Sequence, residues 1–441
     1  MVDAPRGDSI WANIGRALRH RNYRLFFAGQ SLSLIGTWLT RVATSWLVYR
    51  LTHSAVLLGV VGFASQIPTF LLAPFAGVLV DRWNRHRVLV ATQVLAMLQS
   101  ALLAAYALSG TITAGHLLVL GAFQGCVNAF DTPARQSFVV EMVDSREDLP
   151  NAIALNSTMV NTARLVGPSI AGILIAGVGE GWCFTVDAVS YFAVIASLLA
   201  MRVSSRPSRT GDFHVVREFR DGLRYVMSVV PIRTILLLLA LVSLTGVPYM
   251  VLMPIFAAQV LHGGPHTLGL LTGASGVGAV AGALWLASRR NVLGLGRVIG
   301  IAGVAFGVGL VAFGLSHWLW LSMPLLVITG GGMMVQMAAS NTLLQTLVDD
   351  DKRGRVMSFF TMAFFGTMPI GSLAAGLLGA RIGAQATVMA GGGLTLVAIL
   401  LFAIKLPEFR RLARPIYQRK GILPEVAVGL ERAADILGTE D

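Results

Sequence analysis

The stretch "NAFDTPARQSF", Asn128 to Phe138, closes a long apolar run and places Asp131 and Arg135 four residues apart. On a helix that spacing puts both side chains on one face. Charged groups at membrane depth are costly and are rarely kept without a use. Three more charges fall inside apolar runs: Arg164 in "ARLVGPSIAG", Asp187 in "TVDAVSY" and Arg41 in "TWLTRVATSW". Two chemistries are open for the first group. In one, Asp131 takes up and releases a proton, Arg164 is its switch and Arg135 its partner, because a carboxyl group responds to burial and to a neighbouring guanidinium in opposite senses. In the other, the charges form a fixed ion pair that holds helices in register and never titrates. Asp187 is the next proton candidate, with a hydrated packing role as its alternative. Arg41 either lines a cavity and attracts an anionic group or snorkels to an interface.

The elements that position these residues are apolar helices. Hydrophobic residues make up 55% of the chain and charged residues 13%, too few charges to cover a soluble protein of this size. Runs long enough to cross a bilayer are expected at 23–50, 55–80, 87–108, 116–140, 152–178, 183–202, 232–260, 267–288, 297–315, 318–340, 356–379 and 385–405. The even-numbered loops and both ends carry the arginines, whereas "SGTITAG", "GVGEG", "LHGGPH" and "LSHW" have no Lys or Arg. Arg50 and Arg381 are the exceptions. Basic loops stay cytoplasmic, so both termini are expected inside, and the net charge of +12 reads as a topology signal rather than a nucleic-acid footprint. No cleavable signal peptide is expected, since the first residues are polar and basic.

The expected organisation is an amphipathic cytoplasmic N-terminus (1–21), a six-helix bundle (22–203), a cytoplasmic linker helix (204–231), a second six-helix bundle (232–406) and a cytoplasmic tail (407–441). In the N-terminus Trp11, Ile14 and Leu18 face lipid; in the linker Val216, Phe219, Leu223 and Val226 form one stripe. The tail holds at most a helix over "EVAVGLERAADIL". The second half echoes the first at an offset of about 205 residues: "GPSIAG" from Gly167 matches "GSLAAG" from Gly371, and Gly77 matches Gly282. Asp131 falls on Gln336 and Arg135 on Ser340, so charge-based chemistry within the membrane belongs to the first half.

At this point the chain resembles the major facilitator superfamily. "GVLVDRWNRHRV" is similar to its loop signature, and "ARLVGPSIAG" to the signature of its antiporters. "FDTPARQSF", "NAIALNS", "PYMVLMPIFA" and "RGRVMSFF" resemble the branch of enterobactin and macrolide exporters. The resemblance implies an all-α membrane protein with twelve transmembrane helices in two six-helix pseudo-repeats and a site between them. Gly77 would let the second and eleventh spans approach closely. Asp81, with Arg82 and Arg85, would form a latch on the state closed to the cytoplasm, facing the start of the eleventh span. Gly167, Pro168 and Gly172 would bend and pack the fifth span. Trp38, Gln66, Tyr249, Met253, Met333, Gln336 and Met337 would wall a greasy cavity together with Arg41.

The function expected is secondary active transport, proton-driven efflux of a small amphipathic drug, antibiotic or siderophore, with a lipid flippase or an importer as alternatives. An enzyme would need a nucleophile with its base, or a metal cluster, at membrane depth; His53, His116, His262, His266 and His317 lie in or beside outer loops without ligand spacing, and no phosphate-cradling loop with Lys is present. The expected partners are a small-molecule substrate and the bilayer, without nucleic acid, metal or cofactor; the proton gradient supplies the energy, and the protein is expected to be a monomer of the bacterial inner membrane.

Overall fold

In hydrocarbon each backbone polar group must be bonded within the chain, which favours helices. The computed structural model describes residues 15–143, 145–202, 215–289, 292–349 and 352–420, without the side chains of 74, 78, 81, 146 and 215–218; the described residues contain helices and no strand. The first half comprises α1 (Arg21–Thr52), α2 (Ala55–Arg82), α3 (Arg85–Leu108), α4 (Ala114–Met142), α5 (Leu149–Val178) and α6 (Glu180–Leu199). After α7 (Val215–Ser228) come α8 (Val230–Thr245), α9 (Tyr249–Ile255), α10 (Pro265–Ala287), α11 (Leu295–Leu315), α12 (Leu319–Leu347), α13 (Arg353–Thr361), α14 (Met368–Ile382) and α15 (Ala384–Arg419). Short π-helical turns, Phe256–Val260 and Met362–Gly366, extend α9 and join α13 to α14.

Ten helical runs among the described residues are long and apolar enough to cross a membrane, with α8 to Val260 and α13 through α14 each counting as one. α1 and α4 match them in length but are not among the ten. They carry more polar residues, including Thr37, Thr40 and Arg41 in α1 and Asn128, Asp131 and Arg135 in α4. The repeat is visible in the helix bounds: Ala114–Met142, shifted by 205 residues, coincides with Leu319–Leu347.

Within the first half α2 and α3 pack on α4, and α1 packs on α5 and α6; in the second half α10 and α11 pack on α12, and α11 on α15. Successive spans run in opposite senses, so one end of the molecule holds both described termini. At this terminal face a short 3-10 helix, Arg16–Arg19, docks on the start of α5: Ala17 N donates to Asn151 Oδ1 (2.9 Å) and Tyr23 OH to the Ala152 carbonyl (2.7 Å). This part of the N-terminus therefore rests on protein, with Ala17 fully buried; Trp11 and Ile14 lie outside the described residues. At the opposite, distal face Arg50 binds Glu180 through Nε–Oε1 (2.8 Å) and Nη2–Oε2 (3.1 Å). That pair accounts for one of the two arginines that broke the loop pattern; the other, Arg381, is exposed in the last turn of α14, where the helix dipole favours a cation.

Two further expectations change. α7 is held by the second half: the Phe219 ring lies 5.1 Å from that of Phe359, a methyl on Gly222 would lie 3.0 Å from the same ring, and Val226 is buried. The last helix continues to Arg419, well past the expected end at 405, with Pro407 and Pro415 inside it, and Lys420 Nζ then donates to the Val348 carbonyl (2.6 Å). The helix expected over "EVAVGLERAADIL" lies outside the described residues.

The halves meet chiefly at two crossings, α2 with α14 and α5 with α10, with lesser contacts of α9 and α10 on α1 and of α9 and the Met362–Gly366 turn on α2. Both main crossings use bare backbone, as tight helix packing in lipid requires. A methyl on Gly376 would lie 2.7 Å from Gly59 Cα, and one on Gly172 would lie 2.9 Å from the Pro265 carbonyl and 3.1 Å from Gly269 Cα. Gly172 and Gly376 are the closing glycines of the repeated "GPSIAG" and "GSLAAG". All of these contacts lie in the distal halves of the helices. Toward the terminal face a methyl on Gly77 would meet nothing within 4 Å, and α13 packs on α7 and α12 instead of on α2. The close approach expected at Gly77 is thus made at Gly59, nearly two-thirds of a helix away, and the cleft between the halves opens toward the terminal face.

Candidate functional site

Asp131 is buried in the first half, 4% exposed, between α3 and α4. Gln93 Nε2 (2.7 Å) and Thr92 Oγ1 (3.1 Å) donate to its Oδ1, and Arg135 Nη2 donates to Oδ2. Three donors, one of them a guanidinium, make this a well-satisfied carboxylate. Arg164 is not among its partners. α4 and α5 are joined by a short loop but pack mainly on other helices, so neighbours in sequence are not neighbours in the packing.

Arg164 instead faces the cleft. It is half-buried in α5, one turn before the Gly167 that packs on Trp38 of α1. Arg41, a little more than one turn past the middle of α1, keeps an exposed side chain, with its guanidinium 4.9 Å from the centre of the Trp38 ring. Pro168 lies within α5 and leaves the Arg164 carbonyl, four residues earlier, without its usual helical donor; that oxygen faces Gly276 of α10. A methyl on Gly167 would lie 2.4 Å from Trp38 Cβ, so this glycine seats α5 on α1.

Asp187 is 2% exposed and lies among α1, α3 and α6. Thr40 Oγ1 (2.7 Å) and Ser100 Oγ (2.8 Å) donate to its Oδ2, whereas its Oδ1 has no hydrogen-bond partner. No cation pairs with it among the described residues. Asp131 and Asp187 thus differ in kind: one is neutralised by a guanidinium, the other is met only by hydroxyl groups.

At the terminal end of α2, Arg82 is exposed and Arg85 Nη1 donates to Glu141 Oε1 (2.8 Å). The Asp81 side chain lies outside the described residues. Of the expected cavity walls, Trp38, Gln66 and Met337 are half-buried, and Gln66 Nε2 bonds back to the Gly62 carbonyl (3.1 Å). Tyr249, Met253, Met333 and Gln336 are buried in the second half instead of lining open space, and Tyr249 OH is bonded to Ser275 Oγ (2.8 Å). The reason is close glycine packing: a methyl on Gly282 would lie 2.9 Å from the Gly331 carbonyl, and one on Gly330 2.0 Å from that of Ser275, so α12 is drawn tightly onto α10. Gln336 and Ser340, the counterparts of Asp131 and Arg135, are fully buried, and their side-chain polar atoms have no partner.

Sequence reasoning passed over Thr92, Gln93, Thr40 and Ser100. Their signal was a polar side chain inside an apolar run, the same signal that marked the acids. Glu180 was passed over too, although it is the acid of the "GVGEG" loop and Arg50 precedes an outer loop.

The comparisons agree on one family. Its model, described as transmembrane secretion effector, matches residues 12–432. The chain is 26% identical to the staphyloferrin A transporter of Staphylococcus aureus, over 79% of this chain and 87% of that one. It is 25% identical to the enterobactin exporter of Citrobacter koseri, over 91% and 96%, and 28% identical to the multidrug efflux pump Tap of Mycolicibacterium fortuitum, over 86% and 93%. Among solved structures, an inward-facing bacterial homologue of the iron transporter ferroportin superposes with a TM-score of 0.67 at 18% identity, covering 87% of this chain and 98% of that one. An inward-facing bacterial homologue of the lysosomal transporter Spinster gives 0.62 at 14%, covering 93% and 99%. The fold, the duplicated halves and a family model that spans nearly the whole chain lead to one conclusion: this protein belongs to the transmembrane secretion effector family of the major facilitator superfamily, and it is a multi-pass membrane transporter, not an enzyme.

Proposed function

We propose that the protein exports a small amphipathic molecule across the inner membrane by alternating access, driven by the proton gradient, with twelve spans and both termini in the cytoplasm. The observation that carries this reading is the asymmetry of the cleft: paired glycine crossings seal its distal end, and Gly77 at the terminal end of α2 faces open space. With the basic loops cytoplasmic, the state described is the one that loads cargo from the cytoplasm. The relatives named for exporting a siderophore or drugs support the same direction. In the opposite state Gly77 and Asp81 would close on the start of α13 and latch the cytoplasmic end.

Proton coupling is best assigned to Asp187. Asp131 is already committed to a guanidinium and two further donors. A buried carboxyl group met only by hydroxyls, with one oxygen unpartnered, is costly when ionised and readily holds one. Asp187 would bind a proton from the outside and release it to the cytoplasm as the halves rock. Asp131 and Arg135 would serve as a strut within the first half.

The test is accumulation in inside-out vesicles with an acidified lumen, across a panel of dyes, antibiotics, siderophores and lysolipids. Uptake of at least one compound, abolished by a protonophore, is expected. If only lysolipids move, or movement ignores the pH gradient, the reading of proton-driven solute efflux is wrong.

A further inference from the structure

Arg41 and Arg164 are two cations without counter-charges in a cleft otherwise short of charge. Among the described residues Arg41 has no ion pair, and its guanidinium lies over the Trp38 ring. Arg164 makes no ion pair with any described residue. The acids of the first half that could have served are bonded elsewhere: Asp131 to Arg135, Glu141 to Arg85, Glu180 to Arg50, and Asp187 to Thr40 and Ser100. The spans of the facing half cannot supply a partner, because residues 229–348 and 352–407 contain no Asp or Glu.

The two arginines also flank one seam: Trp38, over whose ring the Arg41 guanidinium lies at 4.9 Å, packs on α5 at Gly167, one turn from Arg164. Like charges at this depth cost free energy in the unoccupied cleft, and an anion placed between them would relieve it. Arginine suits that task, since its planar fork binds an oxyanion through two parallel hydrogen bonds. Arg41 is not a snorkelling side chain, because its guanidinium lies over Trp38, the residue that α1 packs against Gly167 of α5. The half-buried Trp38 ring beside it offers an apolar surface to whatever is attached to the anion.

We propose that Arg41 and Arg164 together recognise an oxyanion on the transported molecule, so that the cargo is an amphipathic acid: a carboxylate or similar group joined to an aromatic or apolar body. This rests on the transport reading above and deepens it by naming the substrate class. It also gives the two halves different tasks, with the charge recognised by the first half and the second half, whose acids are confined to residues 349–351 between α12 and α13, closing over the apolar remainder.

Two xanthene dyes of similar shape and opposite charge test it: fluorescein, an aromatic carboxylate, and rhodamine 6G, a cation. The full chain is placed in phosphatidylcholine nanodiscs, and binding is read by fluorescence anisotropy against empty discs. Wild type is expected to bind fluorescein about tenfold or more tightly than rhodamine 6G. Arg41→Gln and Arg164→Gln should each weaken fluorescein binding by roughly tenfold to a hundredfold, the range for loss of a charge-assisted bond. Arg41→Lys and Arg164→Lys, which keep the charge, should retain part of the preference. Equal binding of the two dyes by wild type, or a preference for rhodamine 6G, overturns the proposal even if no variant folds. So do folded Gln variants that bind fluorescein within twofold of wild type. Binding that follows the prediction while neither dye crosses reconstituted vesicles would instead sink the transport reading and leave the anion site standing.

Discussion

Arg135 Nη2 donates to Asp131 Oδ2 from one turn further along the same helix, and Gln93 and Thr92 of α3 hold the other carboxylate oxygen. A buried carboxylate held this way acts as a strut between α3 and α4. Asp131→Asn should therefore destabilise the protein, by about 3 kcal/mol, because the arginine is left without its partner. Adding Arg135→Gln should recover part of the loss. Thermal unfolding in detergent reads both effects. If Asp131→Asn melts like wild type but no longer releases protons on substrate binding, Asp131 is the proton carrier after all.

For Asp187 the expectation is reversed. Asp187→Asn imitates the protonated carboxyl and keeps an oxygen for Thr40 and Ser100, so folding and downhill exchange should survive. Accumulation against a gradient should be lost, and a pH dye should record no proton release when substrate binds. A variant that still releases protons at the wild-type stoichiometry would remove Asp187 from the mechanism.

The latch predicts a kinetic defect. Asp81→Asn should leave the state described here intact and destabilise the state closed to the cytoplasm, by roughly 1.5–3 kcal/mol before solvent screening. Turnover should fall while substrate affinity is retained. Wild-type turnover and a wild-type balance of conformers would end the latch hypothesis.

The glycine crossings predict a shift in conformational balance. Gly172→Val or Gly376→Val would force side-chain atoms into backbone at under 3 Å. Overpacking of this kind costs about 1–3 kcal/mol, enough to move a two-state balance by roughly tenfold or more. Cysteines placed in the distal part of the cleft, near Gly62, should then label faster from outside the cell. Unchanged labelling in both variants would show that these crossings do not form the seal.

At the terminal face, Asp148 bonds to His20 Nε2 and Arg16 Nη2, both at 3.0 Å. The hydrogen bond from His20 first, and the positive charge of Arg16 next, hold its carboxyl group below the usual carboxylate range. Since the folded value is the lower one, the attachment of the 3-10 helix is fully present above the ordinary carboxylate value and is lost as the pH falls through the lowered one. Asp148→Asn should imitate that loss at neutral pH. Trypsin should cut after Arg16 and Arg19 faster in the variant than in wild type; equal rates would mean that Ala17 and Tyr23 hold the segment without it.

Much of the architecture could be read from the chain because it rests on local or periodic signals. Apolar runs marked the helices, the loop arginines sorted the two faces, and the 205-residue echo is repeated in the bounds of α4 and α12. What escaped the sequence depended on which helices touch. Asp131 and Arg164 lie on consecutive spans, yet α4 packs on α2 and α3 while α5 packs on α1 and α10, so the two side chains never meet. Met333 and Gln336 looked like cavity walls by residue type; runs such as "TGASGVGAVAGA" and "ITGGGM" were the clue that α10 and α12 would close tightly enough to bury them. Arg50 stood out as an exception to the loop charges, but its partner Glu180, in the next outer loop but one, was passed over.

The distal seal is backbone against backbone, made by Gly59 with Gly376 and Gly172 with Gly269, whereas the terminal end of the first half carries charges: Arg82 is exposed and Arg85 pairs with Glu141. Salt screens the second kind of contact and leaves the first almost untouched. Opening toward the outside should therefore be nearly independent of ionic strength, while opening toward the cytoplasm should vary with it, so that the medium on one side of the membrane alone sets how long each cycle lasts.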